Sequence, residues 1–171
     1  RRLRIADNIV DDIGAARTVL FDEAVPYPTP DLVDHVVDLC QGGQCDIVVA
    51  VGGGSTLDLG KSVAALAPGG APTSDYLSGA AHLKGPGLPY IAVPTTAGTG
   101  SEVTRWATIW DKDARRKHSL EHPSMYANHA IVDPELTVSL SPTTTASSGM
   151  DALTQAVEAY WSKRSQPISD L

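Results

Sequence analysis

Residues 46–51, Asp46-Ile47-Val48-Val49-Ala50-Val51, run directly into Gly52-Gly53-Gly54-Ser55 and then into a helical pattern. No other stretch constrains the fold as strongly. A continuous run of β-branched and small apolar residues reads as a strand covered on both faces, the habit of an internal parallel strand. Three consecutive glycines allow a sharp turn and let a ligand approach the backbone without Cβ interference. Ser55 is placed to cap the helix that follows. The first amides of a helix lack intrahelical acceptors, and the helix dipole favours an anion beside them. The turn therefore reads as a phosphate cradle. It is neither Gly-x-Gly-x-x-Gly nor a Walker sequence ending in Gly-Lys-Ser/Thr, so taken alone it is explained equally well as a tight turn without a ligand.

The flanking sequence sets this unit in a larger pattern. A helix is expected over 3–16, with Ile5, Ile9, Val10 and Ile13 on one face, Asp7, Asp11 and Asp12 on the other, and Gly14 near its end. Residues 17–21 read as a strand and 22–28 as a proline-punctuated loop. Thr29 caps and Pro30 opens a helix to about Cys40, with Leu32, Val33, Val36, Val37 and Cys40 as its buried stripe and Gly42-Gly43 as its stop. After the glycine turn, Leu57, Val63, Ala64 and Leu66 predict a packed helix to about Ala67. A loop over 68–72, a weakly helical piece over 75–83 and a strand over 88–93 follow. Strands alternating with helices indicate an α/β architecture with a mostly parallel sheet, whose ligands bind beyond the carboxyl ends of the strands.

Pro94-Thr95-Thr96-Ala97-Gly98-Thr99-Gly100-Ser101-Glu102 lies at such an end. Its hydroxyls can bond a ribose, an amide or a phosphate, and its glycines expose the backbone. Next, 105–110 and 117–120 read as a hairpin turned at Asp111-Lys112-Asp113, and 129–132 as a further strand ended by Asp133-Pro134. Ser141-Pro142 opens a helical region. Gly149 reads as a break, with a second helix over 150–161.

At 171 residues the chain holds one domain, or one and the start of another. A net charge of -7 argues against a nucleic-acid partner. No apolar run is long enough to span a bilayer. Cys40 and Cys45 show no metal-finger spacing and read as reduced side chains of a cytoplasmic protein. The chain begins at Arg1 and stops soon after a helical stretch, which reads as a piece of something longer.

Together these stretches resemble the iron-containing (group III) alcohol dehydrogenase family. The resemblance is carried by Val51-Gly52-Gly53-Gly54-Ser55 with Asp58 and Lys61, by the Pro94 to Glu102 sequence, by Ile131-Val132-Asp133-Pro134-Glu135-Leu136, and by Gly149-Met150-Asp151-Ala152-Leu153. It implies a Rossmann-like dinucleotide-binding α/β domain over 1–140, its first strand lying before Arg1, and the start of a helical metal-binding domain over 141–171. It also implies an NAD- or NADP-dependent oxidoreductase of small alcohols and aldehydes, with Fe²⁺ or Zn²⁺, acting as a homodimer. Gly52, Gly53, Gly54 and Ser55 would bind the pyrophosphate. Thr95, Thr96 and Thr99 would contact the cofactor near its nicotinamide half, with Lys117 in reach. Asp58 is a cofactor-site candidate, although a carboxylate there is also an ordinary dipole-favourable position.

The chain departs from the family at the metal. Members typically supply an Asp and, four residues later, a His from one helix; here Asp151 is followed by Gln155. A spacing of four places both on one helical face. Asp151 and Gln155 are thus the expected metal ligands and catalytic pair, with a neutral amide oxygen holding the ion less tightly than imidazole would. The residues around Gln155 and the 117–123 segment look similar to reductases of phosphonoacetaldehyde. A phosphonate needs a cation, and Arg105 is the expected contact, ahead of Arg115, Arg116 and Lys117. Two other readings stay open: a glycerol dehydrogenase or a dehydroquinate synthase-like enzyme on the same scaffold, and a non-catalytic, metal-free nucleotide-binding remnant.

Overall fold

The computed structural model describes residues 5–166. An amphipathic helix, α1 (Ile5–Ile13), ends at Gly14, whose φ of 97° favours glycine. The strand expected over 17–21 is absent. Thr18 is extended, but no strand of the described residues pairs with this segment, and Val19 and Leu20 are exposed. β-branched residues favour extended backbone, whereas a strand also needs an edge to pair with.

The next helix, α2 (Pro30–Gly42), starts as expected. The Thr29 side chain accepts a hydrogen bond from the Leu32 amide at 3.4 Å, and Pro30 takes the first position. Its stripe is buried at Val33 and Cys40, with Leu32, Val36 and Val37 packed around them. Strand β1 (Val48–Gly52) leads through Gly53 into α3 (Gly54–Leu66). The weakly helical piece expected over 75–83 is a short helix that starts earlier, α4 (Thr73–Ser78), and Gly79 closes it with φ 82°. Strand β2 (Tyr90–Pro94) runs parallel to β1, pairing Val48 with Tyr90 through Gly52 with Pro94. The hairpin is β3 (Trp106–Asp111) and β4 (Arg116–Glu121), antiparallel. Two residues, β5 (His129–Ala130), add a third parallel strand, giving the order β1-β2-β5.

Helix α3 is the middle layer. Ala50, Leu57, Ala64, Tyr90 and Ala92 pack it on the parallel sheet. On its other side Val33 and Cys40 of α2, Ala107, Ile109 and Leu120 of the hairpin, and Met125 close around Leu59, Val63 and Leu66. A helix covered on both sides needs apolar residues around most of its circumference, as this one has. At Gly60 an added Cβ would lie 2.6 Å from the Ala50 Cβ, so glycine sets how closely α3 meets the sheet.

The last helix, α5 (Pro142–Trp161), is a single element. Ser141 caps it as expected, accepting from the Thr144 amide at 3.1 Å. Gly149 does not break it: one interior glycine weakens a helix by about 1 kcal/mol without interrupting its hydrogen bonds. None of its residues is buried, and Met150, Leu153, Val157, Tyr160 and Trp161 are exposed. Among the described residues, no helix is long and apolar enough to cross a membrane.

Candidate functional site

The parallel pairing of β1 with β2 puts the glycine turn and the threonine loop at the same end of adjacent strands. The Thr95 amide donates to the Gly52 carbonyl at 2.9 Å, continuing the ladder one step past the strands. Beyond it the two loops pack directly. A Cβ added to Gly53 would lie 3.3 Å from Thr96 Cγ2, and one added to Gly54 would lie 2.6 Å from Thr99 Cγ2. A Cβ on Gly52 would lie 2.6 Å from the Cβ of Thr56. The glycines therefore let the backbone turn and also let the threonines sit over it.

Gly53, not Ser55, caps α3, and it makes no side-chain cap bond. Ser55 lies inside the first turn, where its Oγ accepts from the Tyr27 amide at 3.2 Å. The helix is capped two residues earlier than its best capping side chain, at a glycine in the extended N-cap conformation. The first amides of α3 are thus left without a side-chain acceptor at the positive end of the helix dipole, beside a glycine backbone. This cradle fits a phosphate group.

Tyr27, at φ 64°, stands beside it. Its ring meets Trp110 edge-on with centroids 4.9 Å apart, and Lys117 Nζ lies 5.9 Å from the Trp110 ring centroid. Two aromatic rings thus lie between Lys117 and the segment that bonds Ser55. Neither Tyr27 nor Trp110 was expected at the site; the signal available in the sequence was two large aromatics in a proline loop and a hairpin.

Asp58 has partners within the protein. Its Oδ1 accepts from Ser101 Oγ at 2.6 Å and its Oδ2 from the Thr108 amide at 2.9 Å. Each oxygen has a partner within the protein, so the carboxylate ties α3 to the end of the threonine loop and to β3. Burial pushes its pKa up, against the bonds from Ser101 and Thr108 and the charges of Lys61 and Lys117.

Lys61 carries a function that the motif alone did not reveal. Its side chain is 1% exposed. Its Nζ donates to the carbonyls of Ser101 at 2.7 Å, Thr104 at 2.8 Å and Trp106 at 2.8 Å. Burial pushes its pKa down to about 8, opposed by Asp58 and Glu102. The sequence signal was a lysine among Leu57, Leu59, Val63 and Ala64 on a helix that must be covered all round.

Arg105 is also committed. Its Nη2 lies 2.6 Å from Glu121 Oε1, its guanidinium lies 5.1 Å from the Trp106 ring centroid, and its buried Nε has no hydrogen-bond partner. Glu121 offsets its charge, so an anion at Arg105 would compete with this partly exposed ion pair.

Asp151 and Gln155 lie on successive turns of α5, Asp151 half-buried and Gln155 exposed. The carboxylate and the amide oxygen fit part of the coordination of a divalent ion. Among the described residues, no group of three or more His, Cys, Asp or Glu is placed to hold one, so further donors would be needed. Helix α5 meets the threonine loop at Gly98, where an added Cβ would lie 2.3 Å from the Ser148 carbonyl oxygen.

Comparison with known proteins places this geometry. Residues 2–134 match the family model of iron-containing alcohol dehydrogenases. The chain is 39% identical over 170 residues to choline dehydrogenase of Bacillus subtilis (strain 168), covering 97% of this chain and 42% of that protein. It is 42% identical over 147 residues to phosphonoacetaldehyde reductase of Streptomyces viridochromogenes, covering 82% of this chain and 37% of that one. The crystal structure of sulfoacetaldehyde reductase from Bifidobacterium kashiwanohense in complex with NAD+ superposes with a TM-score of 0.91 at 38% identity, covering 98% of this chain and 44% of that one. The chain thus spans about two-fifths of the length of the relatives it matches. The family match over most of the chain and the shared fold lead to one conclusion: this chain belongs to the iron-containing alcohol dehydrogenase family.

Proposed function

We propose that the protein is an NAD(P)-dependent, metal-dependent alcohol dehydrogenase or aldehyde reductase, with the dinucleotide held between the glycine turn and the threonine loop. The observation that carries this is the packing of Gly53 and Gly54 against Thr96 and Thr99 at the open N-terminus of α3. Gly52, Gly53, Gly54 and Ser55 take the pyrophosphate on backbone amides. Thr95, Thr96 and Thr99 supply hydroxyls toward the nicotinamide half, and Lys117, over the Trp110 ring, adds a cation. Asp151 and Gln155 hold the metal, with the remaining donors coming from outside the described residues. When bound, the dinucleotide supplies the hydride and the metal polarises the substrate oxygen. The division into a dinucleotide domain over 1–140 and the start of a helical domain over 141–171 belongs to the same reading, as does a homodimer.

For the substrate we propose a small aldehyde, with phosphonoacetaldehyde as the finer choice. The support is the similarity to a phosphonoacetaldehyde reductase and a sulfoacetaldehyde reductase, whose named aldehydes both carry an anionic group. With Arg105 paired to Glu121, we take Lys117 as the cation for such an anion. A metal-free nucleotide-binding remnant is the second reading, favoured by Gln155 in place of an imidazole.

The test is oxidation of NADH and of NADPH with phosphonoacetaldehyde and with butyraldehyde, before chelation, after it, and after Fe²⁺ or Zn²⁺ is restored. Turnover that disappears on chelation and returns with metal supports the enzyme. Dinucleotide binding with no turnover under any metal condition supports the remnant. Equal rates with both aldehydes would overturn the phosphonate assignment.

A further inference from the structure

We propose that Asp58 and Lys61 are positioning residues that lock the threonine loop onto the glycine turn, so that the two halves of the site move as one body. The proposal rests on the dinucleotide reading above for the identity of the ligand, but not for the clamp itself.

The threonine loop is held at its two ends by different means. Its start continues the ladder, through the Thr95 amide on the Gly52 carbonyl. Its far end has no such support, because Ser101–Val103 is a single 3-10 turn and β3 begins only at Trp106. Lys61 and Asp58 hold that end. The ammonium has three protons, and three main-chain carbonyls, those of Ser101, Thr104 and Trp106, lie 2.7–2.8 Å from Nζ. The Ser101 hydroxyl links the two charges: it donates to Asp58 Oδ1 at 2.6 Å and lies 3.3 Å from Lys61 Nζ. Asp58 then anchors the next strand through the Thr108 amide. Ser101 also ties back to the cradle, since its amide donates to Thr99 Oγ1 at 3.3 Å and Thr99 covers Gly54. A chain of contacts therefore runs from α3 through Lys61 and Ser101 to Thr99 and back to the first residue of α3.

Stability alone does not account for this arrangement. Taking a charge out of water is expensive, and a buried ion pair is often matched or bettered by apolar residues of similar volume. Methionine at 61 would fill the space between α3 and the hairpin. It would not direct three carbonyls to one point. The ammonium specifies the loop's position, which is what a site assembled from two loops requires.

The test is made on the purified protein with Lys61→Met and Ser101→Ala. Two readouts are taken: hydrogen exchange at the amides of Thr99, Gly100 and Ser101, and NADH affinity alongside the separate KM values for NADH and aldehyde. The expected result for Lys61→Met is exchange and NADH Kd each raised about tenfold or more, with the aldehyde KM within about threefold of the parent. A protein only weakened in stability would show faster exchange throughout α3 and no such split between the two KM values. Exchange and Kd both within twofold of the parent would overturn the proposal. If Lys61→Met does not fold, Ser101→Ala decides, since it removes the hydroxyl shared by the two charges but keeps the three carbonyls. There a threefold or larger rise in both readouts is expected, and no change overturns the clamp. Failure of the parent protein to bind NADH would sink the dinucleotide reading, and the exchange arm would then decide the clamp by itself.

Discussion

Gly54 is the residue on which the site turns. A methyl group there meets Thr99 Cγ2 at 2.6 Å and Oγ1 at 2.9 Å, so Gly54→Ala must displace the threonine that covers the cradle. The expected outcome is a stability loss of about 1–3 kcal/mol, the usual range for overpacking, and a rise of tenfold or more in NADH Kd. Urea denaturation and fluorescence titration check the two effects. Cys40 gives a second prediction at this scale. Burial, with Cys45 beside it, pushes its thiol up to about 11. A group whose folded pKa is raised contributes stability that is complete below its unfolded pKa and is lost as pH rises through the folded value. Stability should therefore fall between about pH 9 and 11, by on the order of 2 kcal/mol from this site. Lys61 acts in the opposite sense: its folded pKa is lowered, so its contribution rises with pH above about 8. The two oppose each other over this range, and Tyr90, whose pKa burial also raises, adds to the loss at its alkaline end. Cys40→Ala should remove only the Cys40 contribution, seen as denaturation midpoints that rise more, or fall less, from pH 9 to 10.5 than those of the parent.

Helix α5 shows what a single residue means inside an element. Gly149 has helical surroundings, no positive φ and open space where a Cβ would go. Gly149→Ala should therefore stabilise the protein by about 0.5–1 kcal/mol, measurable as a rise in thermal midpoint. Gly98→Ala is the opposite case, since its methyl would meet main chain, the Ser148 carbonyl oxygen at 2.3 Å, which cannot rotate away. The expected outcome is a displaced α5 and lost turnover with NADH affinity within threefold of the parent. The elements that the sequence made legible were those whose signals are local. Thr29-Pro30 and Ser141-Pro142 carry their own capping chemistry, and the strand, glycine turn and helix around Gly54 need no distant partner to be recognised. Errors arose where the outcome depended on something outside the segment. The 17–21 stretch has strand-forming residues but pairs with no strand among the described residues. Ser55 lost its capping role to Gly53 and became an acceptor for Tyr27, 28 positions earlier. Asp58 and Lys61 were visible as motif residues, but their partners lie 40–50 positions further on, beyond what periodicity can report.

At the scale of the molecule the described residues form a layered body around α3, with α5 resting on its rim. The cradle lies at the start of α3, whereas Asp151 and Gln155 ride on α5. Chelation is accordingly expected to abolish turnover while changing NADH Kd by less than threefold; a proportional loss of both would show that the metal also supports the dinucleotide site. The covering of α3 has a further consequence for motion. It is packed against the sheet on one side and against α2 and the hairpin on the other, so rotating or sliding it would break two apolar contacts at once. Helix α3 is thus held on both sides, whereas α5 has no buried residue to anchor it. α3 is therefore the fixed side of this body, and whatever movement the packing allows is left to the partly exposed side.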